Sequence, residues 1–289
     1  MASPSRFTKP QGPKDFPEEL VVLHPGKETA RCRVLGTDRE ILLHTRGIPR
    51  LVPGEVLTLL PERQAGPSAH PYLSKPWEMR RVEVRSLGLK PLALEERGAL
   101  DPEEELETSG GKAAMEEWLH PLVFRGKRPV FELEELGPGL DPEDPMWDPI
   151  IEAREMKEKG NQEGAEGVLF HLLSVDLRYL DAHAHLGAFY FEENPERALS
   201  HYAVGAEIGA LSCPPGFDGY LPWDYLQNRP FLRCLHGLAL CLWRTKRAGE
   251  AQAIFEWQLN LDPLDHMGIR FLLYYLRQGV DWEDLPPSL

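Results

Sequence analysis

Five short apolar runs stand between turn-forming residues in the first ninety positions: Leu20–His24, Ala30–Gly36, Glu40–Thr45, Glu55–Pro61 and Met79–Ser86. Runs of this length, broken by Gly, Pro and Asp, predict strands. In Arg31-Cys32-Arg33-Val34 and Arg81-Val82-Glu83-Val84 polar and apolar residues alternate, so one face is expected to pack and the other to meet solvent. Gly36-Thr37-Asp38-Arg39 sits between two such runs and predicts a hairpin turn. Residues 18–91 therefore read as a small β-barrel-like module behind a Pro-rich tail at 1–17. From 92 to 145 the pattern loosens. The acidic run Asp101–Gly111 holds too few apolar residues to order itself by burial and predicts a mobile linker, followed by one short helix within Lys112–Leu122. The Pro/Gly/Asp-rich stretch Gly137–Pro145 predicts a boundary.

Beyond residue 146 the spacing becomes helical and repeats. Ala153 and Met156 precede Gly160, and Ala165, Leu169 and Leu172 follow it. Leu186, Gly187 and Tyr190 lead to Asn194-Pro195-Glu196, a helix cap and first turn, then to Ala198 and Tyr202. Leu235, Leu238, Ala239 and Leu242 are followed by Ala251, Phe255 and Pro263. The first two hairpins start 34 residues apart, near Met146 and Leu180; the third, from about Leu232, comes 52 later. Two short helices, each apolar on one stripe, can bury those stripes only against the next pair. These positions resemble the tetratricopeptide (TPR) pattern. Asn228–Arg244 with Leu261–Phe271 is similar to a group of TPR proteins that combine an NRP-type opening, an LxLDP exit and a GxR(F/Y)LL cap. The resemblance covers roughly Met146 to Gly279. It implies an all-α TPR-like helical-hairpin domain over 146–289, closed by a helix at Met267–Leu276; with the small β-barrel-like module before it, the expected fold class is α+β multidomain.

Some eighteen extra residues fall before the third hairpin, within Cys213–Pro230, and bring Phe217, Tyr220, Trp223 and Tyr225. This insert is expected either to plug the groove end or to form a binding lip. In the TPR family the first helix of each pair lines a concave groove. Carried over position by position, the resemblance places there Ile150, Arg154 and Lys157, then Ala184, Ala188 and Phe191, then Arg233, His236, Trp243 and Arg244. On the cap it adds Arg270, Tyr274 and Arg277. Such a groove is basic and aromatic. Guanidinium groups pair bidentately with carboxylates, so an acidic peptide segment or a C-terminal carboxylate is the expected ligand. Two alternatives stand beside it: these arginines pair with neighbouring Glu and Asp, or the acidic run Glu103–Glu107 folds back into the groove.

Charge sharpens the division. The 289 residues carry a net −14, but 1–90 hold 15 Lys and Arg against 10 Asp and Glu, and 91–289 hold 17 against 36. An acidic helical domain repels phosphate, which confines any nucleic-acid contact to residues 18–91. There Arg31, Arg33, Arg80, Arg81 and Arg85 offer a polar face, and Val52-Pro53-Gly54-Glu55-Val56 resembles the turn into a strand of oligonucleotide-binding, KOW and TRAM-type barrels. No run is long and apolar enough to span a bilayer and the N-terminus lacks an apolar core, so a cytoplasmic protein without membrane contact is expected. Cys32, Cys213, Cys234 and Cys241 form no CxxC pair and read as buried thiols. His183 and His185, two apart on one helix, face different ways, and His201 on the next helix can meet at most one of them. No Walker loop, GxSxG, HExxH or dinucleotide fingerprint occurs. The expectation is a non-catalytic protein-binding adaptor or scaffold with no cofactor and no metal. The alternative is a nucleic-acid-associated factor using the β module.

Overall fold

The computed structural model describes residues 19–26, 28–44, 51–58, 78–82, 84–137 and 148–286. The chain divides into two compact units, Met1–Leu89 and Lys90–Leu289. Each has its own architecture, and the whole is a mixed α+β fold.

In the first unit the five expected strands form: β1 (Glu19–Pro25), β2 (Thr29–Val34), β3 (Glu40–His44), β4 (Glu55–Thr58) and β5 (Glu78–Val82). They pair antiparallel in the order β3-β2-β1-β4-β5. The β2–β3 turn closes at Gly36, whose φ of 76° suits a residue without a side chain, with Val34 N donating to Arg39 O at 2.9 Å. Leu20, Val22, Ala30, Cys32, Leu43 and Leu57 bury one face. Arg31 is exposed opposite them, as alternation requires. At the centre, however, the other face is covered as well. Val21 and Val56, cross-strand partners, are buried, and so is Val84.

The barrel expectation is corrected. The first strand occupies the middle of the sheet, which leaves β3 and β5 as the edges, and closure would require those two to hydrogen-bond. Among the described residues they do not. Bulges between Val22 and His24 and between Val56 and Leu57 bend the sheet without closing it.

The second unit begins earlier than the sequence reading placed it. In place of an acidic linker over 92–145 with a mobile run at 101–111 and one short helix, residues 94–133 hold β6 (Leu94–Leu100), α1 (Pro102–Thr108), two 3-10 turns, α2 (His120–Val123) and β7 (Arg128–Leu133). β6 and β7 pair antiparallel, Leu94 opposite Leu133 and Glu96 opposite Phe131. The acidic run is helical for an electrostatic reason. Asp101 caps α1 by accepting from Glu103 N at 3.1 Å, Pro102 opens the first turn, and Glu103, Glu104 and Glu105 lie at its positive end. Leu106, Met115, Leu119 and Val123 then enter a core with Leu242, Trp243, Phe255 and Leu273. The single helix expected within 112–122 is interrupted, because Met115 and Glu116 are extended between the 3-10 turns Lys112–Ala114 and Glu117–Leu119.

Seven longer helices follow: α3 (Pro149–Glu158), α4 (Gln162–Val175), α5 (Leu180–Tyr190), α6 (Pro195–Ala210), α7 (Arg229–Arg244), α8 (Ala248–Leu261) and α9 (Ile269–Arg277). Short connections make sequential neighbours antiparallel. Asp148, Asn161 and Asn194 cap α3, α4 and α6 through their side-chain oxygens. The apolar positions read as repeats are core: Ala153, Ala165, Leu169, Leu186, Tyr190 and Ala198 in one cluster, Ala239, Leu242, Ala251 and Phe255 in the next. Tyr202 of α6 wedges between α5 and α7. A Cβ on Gly187 or on Gly237 would lie 2.6 or 2.2 Å from its ring, so only glycine admits that approach.

Candidate functional site

Three inner helices present a common stripe. On α7 the positions Arg229, Arg233, Leu240 and Arg244 recur at steps of four, seven and four, which returns them to one side of a helix. On α5 the matching positions are Asp181, His185 and Ala188, with Phe191 and Glu192 just past its end. Ala188 is exposed in the last turn of α5, a short side chain between longer ones. α3 brings Arg154 and Lys157; Lys157 Nζ stands 5.2 Å from the Phe189 ring centre and hydrogen-bonds Gln162.

Several of these cations are engaged within the chain, which is one of the alternatives read from the sequence. Arg233 Nη1 donates to Asp181 Oδ1 at 3.1 Å. Arg244 donates to the Phe191 carbonyl and, through Nη2, to the Glu192 carbonyl at 3.2 Å, while its guanidinium lies 5.1 Å from the Phe191 ring centre. It therefore clamps the end of α5 to the end of α7. Arg154 pairs with Glu158 at 3.8 Å, one turn along α3, with both side chains well exposed, a contact of small energetic weight.

Two predicted positions face inward. Trp243 is 1% exposed and donates Nε1–H to Val280 O at 3.0 Å. His236 packs edge-on against Phe255 of α8, and burial pushes its pKa down to about 4. Both sit three residues beyond a stripe position, and three residues turn the helix about 60° short of a full circle, toward α8. Ala184 is likewise buried. The α9 positions make their own contacts: Arg270 is 3.7 Å from Asp265 and lies over Phe271, Arg277 lies 4.4 Å from the Trp118 ring centre, and Tyr274 is exposed against Tyr275. Among the described residues no hydrogen bond, ion pair or ring contact joins them to the α3–α5–α7 stripe.

The aromatic insert docks on the β6–β7 hairpin, neither as a plug nor wholly as a lip. Tyr220 is fully buried, exchanges backbone hydrogen bonds with β7 (Tyr220 N to Pro129 O and Phe131 N to Tyr220 O, both 2.9 Å), and donates its hydroxyl to Gly126 O. Phe217 rests on Phe131. Buried Asn228 ties three segments, accepting from Leu133 N at 2.9 Å and donating to Phe131 O and Pro222 O. Trp223 alone reaches the stripe, with the Arg229 and Arg233 guanidinium carbons 5.1 and 5.5 Å from its ring centre. Asp181, His185 and Arg229 were not predicted as site residues, and Trp223 was expected only as one aromatic of a plug or lip. Their i, i+4 spacing was visible in the sequence, but the contact across helices was not.

No protein-family model matches the chain, and no curated protein matches it. The geometry therefore carries the functional reading by itself. Among the described residues no group of three His, Cys, Asp or Glu is placed to hold a metal ion. His183 and His201 do meet, ring centres 6.0 Å apart, but both are fully buried and burial holds their pKa values down, His183 to about 4. His185 turns away from them to Asp181. The four cysteines are unpaired, and burial pushes Cys32, Cys213 and Cys241 up to about 12, far from a reactive thiolate. An open cleft of about 800 Å³ at Leu106, Lys112, Met115 and His120 is rimmed by Glu107, Glu116 and Glu117 and assembles no nucleophile with a base. In the first unit Arg31 and Arg33 share Glu40 at 3.8 and 3.7 Å, and Arg85 is exposed. The side chains of Arg80 and Arg81 lie outside the described ones. No described helix is long and apolar enough to cross a membrane.

Proposed function

We propose that residues 146–289 form a tetratricopeptide-type stack, that the protein is a non-catalytic cytoplasmic adaptor, and that an acidic peptide segment of a protein partner binds along α3, α5 and α7. Three hairpins at the spacing read from the sequence support the repeat assignment, with α4 and α6 starting 33 residues apart at equivalent positions. One observation carries the binding assignment. Within a stretch of net charge −19, α5 lies between two sources of positive charge: Lys157 of α3 stands over Phe189, and Arg233 of α7 meets Asp181 at the start of α5, with Arg154 and Arg229 about one turn from them along the same helices. Basic side chains gathered on one face of an acidic surface attract an acidic segment and repel nothing it carries. Arg233 and Trp223 supply a planar donor beside an aromatic surface.

The test is capture of a partner from native lysate on immobilised full chain, competed by a synthetic hexaglutamate peptide. The variant pair is Arg154→Glu with Arg233→Glu; Arg244 is left intact because it clamps two helices. Retention by the wild type that hexaglutamate and the variant each reduce at least tenfold is the expected result. Equal retention by wild type and a variant that keeps its circular dichroism spectrum overturns the assignment. Labelled RNA that shifts on the full chain with steep salt dependence would move the function to the β module, for which exposed Arg85 and the Arg31–Arg33 pair, already shared with Glu40, are a modest basis.

A further inference from the structure

Asp181 stands between one cation, Arg233, and one group able to become a cation, His185. Its Oδ1 accepts from Arg233 Nη1 at 3.1 Å, and the same oxygen stands 3.8 Å from His185 Nε2, one turn further along α5. The arginine holds the carboxylate and the imidazole stands just outside hydrogen-bond range. Only one of the five guanidinium donors is used in this pair. Arg233 is 41% exposed and lies beside Trp223, so a carboxylate arriving from solvent can reach it. Arg229, one turn before it on the same stripe, has no carboxylate within ion-pair distance among the described residues and fixes its guanidinium through Nε to Trp223 O at 2.9 Å.

Resting on the acidic-peptide reading, we propose that Asp181 occupies the place of the ligand carboxylate in the free protein, and that an incoming carboxylate takes Arg233 while Asp181 passes to His185, which gains a proton from solvent. The groups around His185 make the exchange work. Asp181 and the Phe189 ring face it from α5, Arg233 from α7, Arg154 from α3 and Asp148 from the α3 cap. Burial holds the imidazole below its usual range, the two arginines add to that, and the two carboxylates oppose it. A carboxylate delivered to Arg233 cancels one repelling charge and frees Asp181 to accept from the new Nε2–H. Binding thus takes up a proton, and by linkage affinity rises as pH falls from the bound-state pKa of His185 toward its lower free-state value, at most about tenfold per pH unit.

The experiment titrates the full chain with hexaglutamate by calorimetry at neutral pH in two buffers of different ionisation enthalpy. A proton taken up per peptide bound, abolished in Asp181→Asn and in His185→Gln, is expected. Binding without uptake overturns the exchange and leaves the peptide site standing; no binding overturns both. A second measurement needs no ligand. By NMR, Arg233→Gln is expected to raise the His185 titration midpoint in the wild-type background and much less beside Asp181→Asn. An unchanged midpoint overturns the proposal.

Discussion

His201 lies fully buried with its ring stacked on Tyr190 and tilted against Phe170, and neither ring nitrogen has a hydrogen-bond partner among the described residues. Its neighbour His183 uses Nε2 on Leu177 O at 3.2 Å and leaves Nδ1 unpaired. Both are therefore neutral in the fold, with pKa values depressed first by burial. The unfolded chain protonates near the ordinary value. Stability from these residues is thus complete above about pH 6.5 and drains away as pH falls toward the folded values. Between pH 7 and pH 5 His183 costs roughly 2 kcal/mol, at about 1.4 kcal/mol per unit below the unfolded value, and His201 adds in the same direction. In His201→Phe, which keeps the ring contacts, the unfolding free energies extrapolated from urea at the two pH values should converge. An unchanged gap would mean that these histidines are not what couples the fold to acid. The sequence placed His183 and His201 on consecutive helices and allowed a meeting. It could not reveal burial on all sides, because that depends on Cys234 of α7 lying against the same α6 glycine, Gly205, as His183.

Tyr202 fixes how close α5, α6 and α7 come. Gly237→Ala forces a Cβ to 2.2 Å from its ring, so we expect about 1–3 kcal/mol of destabilisation, read as a lower thermal midpoint and largely relieved by the second change Tyr202→Leu. Asn228 makes a parallel case for the insert. Asn228→Ala leaves Leu133 N, Phe131 O and Pro222 O without their side-chain partner in a buried site, an expected loss of roughly 3 kcal/mol, with faster hydrogen exchange at the Leu133 amide. Elements with their own periodicity were legible: the five strands from short alternating runs, and the helical pairs from alanines and glycines at fixed steps. Elements whose partners lie far away in sequence were not. Tyr220 pairs with β7 ninety residues earlier, and α1 buries only Pro102 and Leu106, the latter in a core whose other members run to Leu276. Trp243 and His236 were misplaced for a different reason: family position gave the helix, but a rotation of about 60° separates the stripe from the seam facing α8.

At the scale of the molecule, two cores of different kind are built on one chain. The first is a bent open sheet with Leu20, Cys32 and Leu57 in its core. The second is a helical stack whose last hairpin and closing helix are covered by residues that composition alone would leave in solvent. Leu106, Met115, Leu119 and Val123 share a core with Leu242, Trp243, Phe255, Leu272 and Leu276, and Trp118 receives Arg277. This cover does what a further repeat would do in a longer array: it buries the apolar side that the final pair cannot bury alone. The natural cut between the units is therefore near residue 90, and a fragment starting at 146 is missing part of its own core. Burial of four large side chains at about 1.5–3 kcal/mol each comes to roughly 6–12 kcal/mol before their ordering cost, comparable with the whole margin of an ordinary domain. Residues 90–289 should unfold in one cooperative transition, whereas 146–289 should melt at markedly lower temperature, bind a hydrophobic dye, and lose near-ultraviolet dichroism from Trp243 before its helical signal. If 146–289 instead melts like 90–289, the segment before β7 is a surface attachment and the boundary read from the sequence, near 146, is the functional one.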